Sequence, residues 1–376
     1  MSSPPFDEPI FVTRPLLPPL AEVVSRLEAV WASRWLTNAG AQHEALEAAL
    51  RDHLGVPELA LFNNGTIALM TAMRALNLSG SVVTTPFTFP ATPHALVWSR
   101  IEPVFCDIDP HTLTIDPAAI EAAIRPDTTA VLGVHVYGVP CEVEAIQRIA
   151  DRRGLKVVYD GAHVFGTTLA GRGIGTFGDL TMFSFHATKL FHTAEGGALA
   201  CQTSEMKASI DHLKNFGILT QDEVDVPGIN GKMNELQAAL GLAVLDHVAG
   251  EMAARRAVVA RYRARLDGVP GITLMPQLPG VSESFQYFVI RIDGAAFGRS
   301  RDEVQASLKI SNVLTRKYFF PLCSDYPCYQ DLASARPEGL PVAHQAVQEV
   351  LCLPIYGTLP LDAVETICDL LLALRR

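Results

Sequence analysis

From about residue 56 to 200, short apolar runs alternate with stretches of helical period. The runs Leu59–Phe62, Val82–Pro86, Pro103–Asp107, Ala130–Tyr137, Lys156–Tyr159, Leu180–Phe185 and Gly197–Cys201 predict strands. Ile67–Leu78, Pro117–Ile124 and Val143–Arg153 lie between them and predict helices. Near-continuous apolar strands joined by helices imply an α/β domain, with a mostly parallel sheet covered on both faces. Beyond residue 230 the pattern changes. Two helical stretches, Asn234–His247 and Glu251–Leu266, join near Gly250 and end at Gly268-Val269-Pro270-Gly271. Shorter elements follow over Gly271–Met275, Gln286–Ile292, Arg301–Leu308, Val313–Phe319 and Leu361–Leu374. The expected division is a large domain with an N-terminal arm over residues 1–245 and a smaller α+β domain over 246–376.

A chain of 376 residues, 49% hydrophobic and 19% charged, is long enough for two such cores and too apolar for extensive disorder. Its net charge of −10 leaves no basic face for a nucleic-acid backbone. The start, Met1-Ser2-Ser3-Pro4-Pro5-Phe6-Asp7-Glu8, lacks the basic flank and apolar stretch of a signal peptide, and no apolar run approaches the roughly 18–20 residues of a membrane span. A cytoplasmic protein without membrane or nucleic-acid partners is expected. The seven cysteines show no CxxC spacing, so they read as free core thiols rather than metal ligands.

Open α/β sheets bind ligands beyond the carboxyl ends of their strands, and three strand ends here carry suggestive residues. Asn63-Asn64-Gly65-Thr66 follows the first strand and opens a helix, which would aim free N–H groups at an anion; a plain N-cap turn is the alternative. Asp160-Gly161-Ala162-His163 follows the Lys156–Tyr159 run. A carboxylate there either needs a cationic partner or caps the next turn. Ser184-Phe185-His186-Ala187-Thr188-Lys189 closes the sixth run. Lys189 is the sole lysine between Lys156 and Lys207, and apolar neighbours should lower its pKa, which suits a nucleophile or Schiff-base lysine. An anion cradle, a buried carboxylate and an isolated amine together meet the needs of pyridoxal 5'-phosphate: its phosphate, its ring nitrogen and its aldehyde.

These residues resemble the DegT/StrS sugar aminotransferases, a group of fold-type I pyridoxal-phosphate enzymes. The likeness runs through Trp35–Gly40, Asn64-Gly65-Thr66, Pro86–Phe89, Asp160–His163, Ser184–Lys189 with Glu195-Gly196-Gly197, and Gly228–Gln237. It implies that Gly65, Thr66 and Ser184 hold the cofactor phosphate, and that Phe89 stacks on the ring. It further implies that Asp160 pairs with the ring nitrogen, that His163 lies near the phenolic oxygen, and that Lys189 is the Schiff-base lysine. Asn230 matches an Asn that the family's homodimer sends to the partner's phosphate, so each active site would be shared. Gly161 and His163 depart from the Ala and Gln of many members, and for His163 a satisfied core histidine is the other reading. His186 and His192 flank the lysine.

The resemblance also implies a two-stage reaction, in which L-glutamate leaves its amino group on the cofactor as pyridoxamine 5'-phosphate and a keto sugar takes it up. Lys189 would be the general acid and base. The expected substrate is a nucleotide-linked 4-keto-6-deoxy sugar, dTDP-4-keto-6-deoxyglucose, aminated at C4. His186, Arg316, Lys317 and Tyr318 are the candidate substrate contacts; Arg316 and Lys317 also read as surface charges, and Tyr318 as core. The rivals are amination at C3, a free cyclitol ketone as substrate, and a noncatalytic regulatory protein of the same fold. A dehydratase branch that replaces the lysine with His is opposed by Lys189 itself.

Overall fold

The computed structural model describes residues 5–376; residues 1–4, where the chain's start was read for a leader, lie outside the described residues. Seven strands form the main sheet: β1 (Glu58–Phe62), β2 (Ser81–Thr84), β3 (Glu102–Phe105), β4 (Thr128–Val134), β5 (Lys156–Asp160), β8 (Leu180–Ser184) and β9 (Gly197–Cys201). A small hairpin, β6 (Thr168–Leu169) and β7 (Arg172–Gly173), separates β5 from β8. The sheet order is β1-β9-β8-β5-β4-β2-β3, and only β9 runs antiparallel to its neighbours. This is the mostly parallel sheet that the alternating pattern predicts.

Both faces of the sheet are covered, and the two-residue period of a strand divides its side chains between two cores. Leu61, Val131, Val157 and Phe183 enter one core, whereas Phe62, Leu132, Val158 and Met182 enter the other. Each of these is essentially inaccessible to water, and burying such a side chain contributes roughly 1.5–3 kcal/mol. Sheet faces so filled leave polar chemistry to the strand ends.

Helices α1 (Leu20–Ser33) and α2 (Ala41–Leu54) precede β1, α3 (Gly65–Ala75) follows it, and α4 (Ala91–Trp98) follows β2. Next come α5 (Pro117–Ala123), α6 (Val143–Arg153) and α7 (Ser204–Lys214), then an exposed hairpin of β10 (Ile218–Thr220) and β11 (Glu223–Val224). The two helices expected on either side of Gly250 are one, α8 (Glu235–Leu266), 32 residues long. Asn234 and Gln237 close a capping box at its start. An internal Gly costs a helix only about 1 kcal/mol, and the apolar contacts on either side outweigh that. Ala238, Leu242 and Val248 pack into the large sheet's core, while Val258, Tyr262 and Leu266 pack into the C-terminal one. Residue 245 therefore falls inside a helix that serves both halves.

The C-terminal sheet has the order β12 (Ile272–Leu274), β14 (Phe288–Ile292), β15 (Val350–Leu353), while β13 (Val281–Ser282) pairs with β6. Val313–Phe319, expected as a strand, makes only isolated bridges, Val313 to Ile10 and Arg316 to Cys352. β14 is paired by β12 and β15 on its two sides, and this segment meets β15 only at Arg316, whose backbone exchanges hydrogen bonds with Cys352. The N-terminal arm crosses between the halves: Leu314 N donates to Ile10 O, Ile355 N donates to Val12 O, and His192 Nε2 lies 2.8 Å from Leu16 O. Six cysteines are buried and Cys328 is exposed. Among the described residues no helix is long and apolar enough to cross a membrane.

Candidate active site

The carboxyl ends of β1, β5 and β8 meet at one edge of the sheet, together with the start of the reversed β9, where Gly197 pairs with both Phe62 and Ser184. A cleft of about 990 Å³ opens there. At its floor, Asn64 caps α3 by accepting from Ile67 N at 2.9 Å, which leaves the N–H groups of Gly65 and Thr66 ahead of the first helical hydrogen bond. The approach is close: a Cβ at Gly197 would lie 2.7 Å from Gly65 N, and one at Gly65 would lie 2.9 Å from Met182 Sδ. The hydroxyls of Thr66 and Ser184 line the same end. N–H groups at a helix start, with hydroxyls beside them, form a cradle for a phosphate dianion.

Asp160, the last residue of β5, is buried and accepts from Thr92 Oγ1 at 2.8 Å and from Ala162 N at 3.0 Å. Thr92 Oγ1 is in turn 2.8 Å from Thr88 Oγ1. Burial pushes the carboxyl above its usual range, although Thr92, Ala162 and the charge of Lys189 oppose it. Lys189 is half-buried in the same cleft, and loss of water lowers its ammonium from 10.5 to about 8, with Asp160 acting in the opposite direction. At pH 7 roughly a tenth of such amines are unprotonated, against about three in ten thousand ordinary lysines. That difference makes a usable nucleophile.

His163 is buried, and its Nδ1 accepts from Tyr137 N at 3.2 Å, so the neutral ring carries its proton on Nε2. Burial, then the Lys189 charge, holds its pKa well below the ordinary value. The ring lies parallel to Phe319 at 5.7 Å between centroids and edge-on to Tyr287 at 4.8 Å. Phe89, 58% exposed, presents an aromatic face to the cleft. His186 lies on the rim, its Nδ1 2.9 Å from Thr188 Oγ1 and its Nε2 3.6 Å from Glu195. His192 instead uses both ring nitrogens on backbone groups, Leu16 O and Ala194 N, and is buried away from the cleft.

The structure thus brings Gly65, Thr66, Phe89, Asp160, His163, Ser184, His186 and Lys189 to one cavity, with Tyr318 in its far wall. It does not bring in three others. Arg316 is exposed and Lys317 is held by Asp302 at 3.2 Å, so neither lines the cavity. Asn230 is exposed and does not line the cleft; its O accepts from Asn63 Nδ2 at 3.2 Å and its Oδ1 lies 2.9 Å from Lys232 Nζ. Sequence reading missed Thr88, Thr92, Phe319 and Tyr287, whose ring centroid lies 5.9 Å from Lys189 Nζ. Thr92 and Tyr287 sit inside periodic segments, where nothing distinguishes them from ordinary helix or strand residues.

A reversed strand in an otherwise parallel seven-stranded sheet, with a lysine and a carboxylate facing each other at its edge, defines a fold-type I pyridoxal-phosphate-dependent transferase. The chain belongs to the DegT/DnrJ/EryC1/StrS aminotransferase family, whose model matches residues 20–372. It is 46% identical over 369 residues to dTDP-4-amino-4,6-dideoxy-D-glucose transaminase of Escherichia coli, covering 97% of this chain and 99% of that protein. The GDP-perosamine synthase of Vibrio cholerae is 29% identical, covering 90% and 92%. The crystal structure of DesI in the presence of its TDP-sugar product superposes with a TM-score of 0.94 at 36% identity, covering 98% of this chain and 94% of that one.

The lysine's environment has a direct consequence for the cofactor-free protein. An amine is acylated only when unprotonated, so labelling of Lys189 by acetic anhydride should be half-maximal at about pH 8 rather than 10.5. Asp160→Asn removes the negative charge that favours the ammonium, so its midpoint should be lower still. Peptide mass spectrometry across pH reads both, and a wild-type midpoint near that of a free lysine would contradict the desolvated site.

Proposed function

We propose that the protein transfers an amino group from L-glutamate to C4 of dTDP-4-keto-6-deoxyglucose, using pyridoxal 5'-phosphate. The observation that carries this reading is the end-to-end 46% likeness to a transaminase named for the 4-amino-4,6-dideoxy sugar, together with a cleft holding the chemical groups such a reaction needs. The residues fit the cofactor on chemical grounds. Asp160, His163 and Lys189 are each displaced toward neutrality by burial, and a ligand with a ring N–H, a phenolic oxygen and an aldehyde matches the three in turn. When bound, this cofactor carries the amino group and spreads the negative charge left by removal of a proton from carbon.

Gly65 N–H, Thr66 and Ser184 would hold the phosphate, and Phe89 would cover a face of the ring. Asp160, anchored by Thr92 and Ala162, would keep the ring nitrogen protonated, while His163 Nε2–H would donate to the phenolic oxygen. Lys189 would hold the aldehyde carbon in the resting protein. Once displaced by the donor's amine, its Nζ would move the proton between the donor's α-carbon and the carbon that receives the amino group. His186 and Tyr318, which both line the cleft, would contact the sugar. With these reactants the protein is read as a cytoplasmic enzyme.

Two features support a homodimer with shared sites. Apolar side chains are exposed on α1 and on the β10–β11 hairpin, among them Leu20, Trp31, Leu219 and Val224 at 76%, 66%, 51% and 63%. Asn230, in the segment next to that hairpin, lies outside its own chain's cleft. Among the described residues the cleft wall holds no Arg and no Lys besides Lys189, so further cationic groups for the anionic substrate would come from the partner or the small domain.

Incubation with glutamate and dTDP-4-keto-6-deoxyglucose should give a product whose NMR spectrum places nitrogen at C4; nitrogen at C3, or no turnover of this sugar, rejects the assignment. The shared site has its own test. In a mixed dimer of one Lys189→Ala chain and one Asn230→Ala chain, a crossing Asn230 puts both lesions in one site and leaves the other intact. Loss of a charge-assisted hydrogen bond costs roughly 1.5–3 kcal/mol, so at limiting cofactor the Asn230→Ala homodimer should be poor and the mixture should exceed the mean of its parents. A mixture at that mean would mean that Asn230 serves its own chain or no cofactor site at all.

A further inference from the structure

The backbone on either side of Lys189 is held by a side chain from the other half of the molecule. Gln286, just ahead of β14 and 1% exposed, donates from Nε2 to Thr188 O at 3.1 Å and accepts at Oε1 from Leu190 N at 2.6 Å. Its carboxamide thus satisfies the peptide groups before and after the lysine, as a neighbouring strand would. The loop also has anchors of its own: Lys189 N donates to His186 O and Thr193 N to Phe185 O. Gln286 is the contact that spans residue 189 itself. Its chain neighbours face the same site, since Ser284 Oγ donates to His163 O at 2.7 Å and the Tyr287 ring lies against His163.

We propose that Gln286 is a positioning residue: its two-point grip on Thr188 and Leu190 fixes the Cα of Lys189 and hence the path of its amine into the cleft. The proposal rests on Lys189 as the reactive lysine. A lysine that must leave the reacting carbon, carry a proton and return needs a fixed base more than a substrate-binding group does. The carboxamide is suited to this because it offers one donor and one acceptor in a plane, matched to the one C=O and one N–H that flank residue 189.

Two variants separate this role from simple core filling. Gln286→Met keeps the volume but loses both bonds. The expected result is a fall in kcat of about tenfold to a hundredfold, as for a misplaced catalytic group, with KM for the sugar changed less than threefold or so. Without cofactor, hydrogen exchange at the Leu190 amide should also speed up in the peptide spanning Lys189, while peptides from the sheet core keep their protection. Gln286→Glu retains the acceptor and regains the donor only when protonated. Its kcat relative to wild type should therefore rise as pH falls from about 8 to about 6, a dependence that a filler role would not produce, and this variant decides the matter if Gln286→Met fails to fold. Wild-type kcat in Gln286→Met, unchanged exchange at Leu190, or a pH-independent ratio for Gln286→Glu would each overturn the proposal. Full activity in Lys189→Ala would instead remove the reading beneath it, without altering the exchange result.

Discussion

A carboxylate and an amine share one poorly solvated cleft, and their attraction does not make good the water they have lost. If Asp160 and Lys189 neutralised each other fully, the carboxyl would titrate below its ordinary value and the ammonium above it. Both shift the other way, with burial as the largest cause. The pair is therefore left wanting a third group that meets each on its own terms, a protonated ring nitrogen for one and an electrophilic carbon for the other. The surrounding architecture follows from that constraint. Thr88 and Thr92 steady the carboxylate, and the start of α3 turns free N–H groups to the same cleft.

The sheet makes this arrangement possible because its faces are closed. With Val131, Val157 and Phe183 on one side and Leu132, Val158 and Met182 on the other, the strands accept polar groups only where they end. The reversal of β9 then matters locally. It places Gly197 between the ends of β1 and β8, and a side chain there would collide with the first turn of α3. Gly197 thus lets the start of α3 and the lysine loop approach each other.

This logic explains what the sequence made legible. Strands buried on both faces advertise themselves as apolar runs, and whatever polar residue follows such a run stands out, as Asp160, Ser184 and Lys189 do. Residues that arrive from elsewhere in the chain carry no such signal. Gln286 and Tyr287 sit just ahead of an ordinary strand, and only the fold turns them toward the lysine. Gly250 misled for the opposite reason: a glycine reads as a break, but the side that would carry its Cβ is open and the helix is held by contacts on either side of it. Arg316 and Lys317 were attractive as charges beside Tyr318, yet the backbone turns only Tyr318 and Phe319 toward the cleft, while Asp302 takes up Lys317.

The central proposal is chemical: Lys189, alone among the lysines, would carry the cofactor. Borohydride reduction of the cofactor-loaded protein fixes the carbon–nitrogen bond permanently, and proteolysis followed by mass spectrometry shows where it formed. The expected result is a single phosphopyridoxyl group on the peptide containing Lys189. The same group on another lysine, Lys156 or Lys232 for instance, or no attached group in a protein that turns over its substrate, would contradict it.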